Sequence, residues 1–76
     1  MENTVIELAR DVLGLPNLRA GDPIIGNRDI PDSMSVARLI HRVEEFFGVS
    51  FEDDLELDFL ADIASLVGAV ERKLGV

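Results

Sequence analysis

Apolar residues recur at spacings of three and four in three separate stretches of the chain, and each stretch predicts a helix. In the first, Val5, Leu8, Ala9 and Val12 share one helical face. Thr4 with Glu7 three places on has the form of a capping box and predicts the start; Gly14 and then Pro16 predict the stop. The second stretch carries the strongest pattern. Val36, Leu39, Ile40, Val43, Phe46 and Phe47 keep the 3.6-residue period and predict a helix from about Ser33 to Phe47, ended by Gly48. A third helix is predicted to begin after Asp62, a good N-cap, and to bury Ile63, Leu66, Val67, Val70 and Leu74. Gly68 within it costs about 1 kcal/mol against alanine, so it either permits close packing or is tolerated.

Between the first two helices, residues 15 to 32 contain all three prolines, and eighteen residues is long for a connection in a compact domain. Its scattered Leu18, Ile24, Ile25 and Ile30 predict a loop pinned by its own apolar side chains. "LELDFL", after an acidic link, predicts a single turn or a brief helix. No stretch alternates with period two for long enough to be a strand. The predicted fold is all-α: a small three-to-four-helix bundle with a long loop between helices 1 and 2, forming one domain over residues 1–76.

Composition narrows the function. A chain of 76 residues buries about 60% of its unfolded surface, which leaves room for a thin aliphatic core and none for a deep cleft. The net charge of -8 argues against nucleic acid and against anionic membrane surfaces. The charge is uneven: residues 1 to 43 hold six acids and five bases, whereas residues 44 to 70 hold eight acids and no Lys or Arg. That later part is either a solvated acidic face or a surface for a basic partner. With no cysteine, any thiol used in function must come from outside the chain. The first residues have no leader pattern and no apolar run reaches the length of a membrane span, so a soluble, cytoplasmic protein is expected; a monomer is the expected state.

Several chemistries are excluded by geometry. Ser33 and His41 lie eight positions apart on one predicted helix, roughly 12 Å along its axis, so they cannot share a proton. His41 is then a solvated surface residue. The run "EDDLELD" lacks the glycine and ligand spacing of a calcium loop, and one His without Cys offers little to a transition metal. With no nucleotide-binding fingerprint either, neither catalytic residues nor a metal site is expected, and the chain does not read as an enzyme.

What remains is the start of the second helix. At about 100° per residue its buried face centres near Val36 and Val43, which leaves Met34, Ala37, Arg38, His41 and Glu45 together on the outward side. Asp32 and Ser33 are both good N-cap residues and need do nothing more. A phosphate ester on a serine here would, however, meet the backbone N–H groups and positive dipole end of a helix.

"DSM" at a helix start, followed by "SVARLIHRVEEFFGV" and an acidic link, resembles the acyl carrier proteins, whose motif is Asp-Ser-Leu or Asp-Ser-Met at the start of the second helix. The resemblance spans nearly the whole chain. It implies that Ser33 carries 4'-phosphopantetheine through a phosphodiester and that the arm's terminal thiol holds acyl groups as thioesters. It implies that Asp32 and Met34 are read by a phosphopantetheinyl transferase and by acyl-activating and acyl-transferring enzymes. Met34, Ala37, Arg38, His41 and Glu45 would form the docking strip, and Ala61, Ala64, Gly68 and Ala69, assigned to the last helix, would either leave space for an acyl chain or serve ordinary close packing.

Two departures bear on the pathway. Ile30 and Pro31 stand where most of the family has glycine and a small or apolar residue, and "IIGNRDIPDSM" looks like a subset of bacterial carriers tied to specialised pathways. Arg38, His41 and Arg42 interrupt a face that is usually acidic in fatty-acid carriers. The expectation is a dedicated acyl carrier, with a stand-alone peptidyl or aminoacyl carrier and an unmodified helical interaction module as the other two readings.

Overall fold

The computed structural model describes residues 1–29, 33–52 and 58–76, with the Ser33 side chain outside that set. Three α-helices, α1 (Glu2–Leu13), α2 (Ser33–Phe47) and α3 (Ile63–Leu74), are joined by a long first loop and by a segment ending in one 3₁₀ turn, Asp58–Leu60. Among the described residues there is no named strand, and no helix is long and apolar enough to cross a membrane. The fourth element is that single turn, so three of the expected three to four helices are α-helical.

α1 packs against both α2 and α3. It therefore buries a wider face than a single stripe: Val5, Ile6, Leu8, Ala9 and Leu13 are buried, and Val12, expected in the core, is half-buried. Its start also differs from expectation. The helix begins at Glu2, the Val5 N–H donates to the Met1 carbonyl at 3.2 Å, and Thr4 lies inside the first turn, so the capping box at Thr4 and Glu7 is not formed. The stop is as expected, with Gly14 left-handed at φ 68°, a conformation that costs glycine little.

Leu18 and Ile24 pin the first loop, both being buried with the helices' core residues. Ile25 is 53% exposed, contrary to expectation, and Ile30 lies outside the described residues. The physical reason is that the loop docks here by its backbone. The Ala64 N–H donates to the Ala20 carbonyl at 2.9 Å, Ile63 N–H to Asp22 at 3.1 Å and Ile25 N–H to Leu60 at 3.1 Å. These bonds leave the Ile25 side chain turned out. The Arg10 Nε–H adds a 2.9 Å bond to the Leu18 carbonyl, tying the loop back to α1.

After α2, the Glu44 carboxylate accepts the Phe51 N–H at 2.8 Å and turns the chain back. Phe51 stacks on Phe59 with centroids 4.7 Å apart, and the Lys73 ammonium lies 4.9 Å above the Phe51 ring. This cluster fastens both ends of the segment between α2 and the 3₁₀ turn.

α3 starts as predicted. The Asp62 carboxylate accepts the Ser65 N–H at 2.7 Å, and that hydrogen bonding with Ser65 holds its pKa below the ordinary aspartate value. The stabilisation from a depressed carboxylate is present above the unfolded-state pKa and is lost as pH falls through the folded one. Thermal melts are therefore expected to show Asp62→Ala melting below the wild type at neutral pH, with the gap closing as pH falls through and below the aspartate range. A gap that stays constant to low pH would contradict the cap's ionised role.

Gly68 is not a close-packing glycine. A methyl group there would meet only the Arg72 guanidinium, at an ordinary 3.5 Å. Gly68→Ala is expected to raise the unfolding free energy by about 0.5–1 kcal/mol in chemical denaturation; a loss of stability would show that the site needs glycine.

Candidate functional site

α2 decides how the candidate residues are displayed. It buries Leu39 and Val43 completely and half-buries Val36, Ile40 and Phe47. Its first residue is Ser33, so the sequence's helix start and the structure's agree. No acidic residue occupies the first turn of α2. Asp32, the other flank of the motif, lies outside the described residues.

Met34, the second residue of α2, is 60% exposed. Ser35 is the opposite case, with 7% of its surface accessible. The helix turns Ser35 inward.

The strip expected on the outward side is brought together. Ala37, Arg38, His41 and Glu45 are all exposed along with Met34, and His41 Nε2 lies 2.5 Å from Glu45 Oε1 one turn on. Arg42 is exposed as well. Phe46 was expected in the core and is 54% exposed. It lies in the last turn of α2, where its neighbour Phe47 takes the inward position and the two rings meet edge to face at 5.0 Å. Phe46 is twelve residues after Met34, three i+4 steps along the same row.

The small residues expected to leave room for a chain differ in setting: Ala61, which precedes α3, and Ala64 are exposed, Gly68 faces its own helix's Arg72, and Ala69 is buried. Leu74, expected to be buried, is 38% exposed in the last turn. A cavity of about 280 Å³ does exist, but residues of the first loop, from Leu15 to Asp29, line it. Among the described residues no group of three or more His, Asp or Glu is placed to hold a metal ion.

Comparison with known proteins gives one informative match. The chain is similar to the solution NMR structure of a holo acyl carrier protein from Nitrosomonas europaea, with a TM-score of 0.77 and 32% sequence identity, over 99% of this chain and 96% of that one. No family model and no curated protein matches it.

Proposed function

This chain belongs to the acyl carrier protein family, and from that premise we propose that it is a non-catalytic acyl carrier modified on Ser33 with 4'-phosphopantetheine. The likeness to a holo carrier along 99% of the chain carries this reading. The site fits the group. Ser33 opens α2, the end of a helix whose backbone N–H groups and dipole favour a phosphodiester. The bound group would supply the thiol that this chain lacks and hold acyl cargo on it as a thioester.

Asp32 and Met34 flank the attachment point and are the residues a phosphopantetheinyl transferase would read. We assign residues 1–76 to one carrier domain acting as a cytoplasmic monomer, served by acyl-activating and acyl-transferring enzymes. Its "RDIP" segment and the arginines of α2 favour a dedicated acyl pathway over bulk fatty-acid synthesis.

The test is intact-mass measurement after incubation with coenzyme A and a broad-specificity transferase proven on another carrier. The expected result is the gain of one phosphopantetheinyl group. A protein that gains nothing under those conditions is not a carrier.

A further inference from the structure

Residues four apart are neighbours on a helix surface, so α2 presents two parallel rows to solvent. Ala37, His41 and Glu45 form one; Met34, Arg38, Arg42 and Phe46 form the other, and all seven are exposed. The rows differ in what their charges face. His41 and Glu45 are directed at each other. Arg38 and Arg42 make no ion pair among the described residues. Two like charges at i and i+4 weakly oppose the helix that carries them, an arrangement that folding does not need and that carboxylates from outside would relieve. The ends of the row are large apolar side chains, Met34 and Phe46, both more than half exposed.

We propose that this row is a docking ridge, and that its occupant is an acyl-handling enzyme whose groove sets carboxylates opposite Arg38 and Arg42 between two apolar sockets for Met34 and Phe46. At 1.5 Å per residue the sockets stand roughly 18 Å apart. The chain's net charge of -8 does not prevent this, because charges beyond about 8 Å are largely screened at physiological salt and the local pair decides. The inference rests on the carrier reading: Met34 adjoins Ser33, so an enzyme gripping the ridge receives the prosthetic arm at the Met34 end.

Two acyl-transferring enzymes proven on other carriers, one with an acidic carrier-docking face and one with a basic face, would be assayed with the holo protein. With the acidic-faced enzyme, Arg38→Glu combined with Arg42→Glu is expected to lower kcat/KM by about tenfold or more through KM, an effect that shrinks at high salt. With the basic-faced enzyme the same variant is expected to be used better. Phe46→Ala is expected to lower kcat/KM with the acidic-faced enzyme about tenfold, with little dependence on salt. Unchanged kcat/KM of the double variant with the acidic-faced enzyme overturns the ridge. So does a wild-type dimer in sedimentation that Phe46→Ala dissolves, because the occupant is then a second copy. Intact mass separates the two failures: absent modification faults the carrier reading, whereas fully modified variants with unchanged kinetics fault only the ridge.

Discussion

Ser33→Ala is expected to abolish the phosphopantetheinyl mass gain entirely, whereas Ser35→Ala keeps it. The two serines are separated by one residue, and a three-residue window offers a transferase two hydroxyls. Position on the helix decides between them. Ser33 is the first residue of α2, where the chain enters the helix; Ser35 has rotated inward and retains 7% of its accessible surface. A hydroxyl that must attack a phosphoanhydride held in another protein's active site needs access, and access is what Ser35 lacks. Intact mass on both variants, with circular dichroism to show that each remains helical, checks this. Modification persisting in Ser33→Ala would relocate the attachment site.

The second large effect is on stability. Leu39→Ala is expected to cost about 2–5 kcal/mol, because Leu39 is fully buried in the middle of α2 and its truncation leaves a cavity that the helix packing cannot fully close. At about 0.05–0.15 kcal/mol per residue, a chain of 76 residues has only about 4–11 kcal/mol in total. The variant is therefore expected to be partly unfolded or to melt far below the wild type. Phe46→Ala removes a larger side chain from the same helix yet is expected to cost about 1 kcal/mol or less, since more than half of Phe46 already faces water. Urea unfolding of both variants compares them directly. Equal losses would mean that Phe46 belongs to the core after all.

The Phe46 and Leu39 pair shows where helical periodicity stops being informative. Both positions satisfy the apolar pattern of α2, and the pattern correctly located the helix, its buried side and its glycine stop. It does not know how far the neighbouring helix extends. In the last turns of α2 and α3 the apolar residues Phe46 and Leu74 lie exposed. In α1 the error runs the other way: two neighbours, α2 and α3, widen the buried face to include Ile6 and Leu13.

The candidate site was legible because its signals are local. A capping-type dipeptide, an exposed apolar residue and a helix start occupy adjacent positions, and the family motif reads the same way. The docking strip was legible as a face, but its division was not: which charges are self-paired, as His41 and Glu45 are, depends on side-chain positions that spacing permits without requiring.

By itself, then, the sequence determined three helices, the Asp62 cap, the glycine stops and the display of Met34 beside Ser33, all of which follow from contacts within a few residues. Only the tertiary structure decided that the first loop is held by backbone bonds to the start of α3 and that Ile25 is turned out. It likewise decided that Ala61 and Ala64 are exposed while Ala69 is buried, and that Phe46 is exposed. Those outcomes depend on where one element ends against another, a length and an angle that no local pattern encodes.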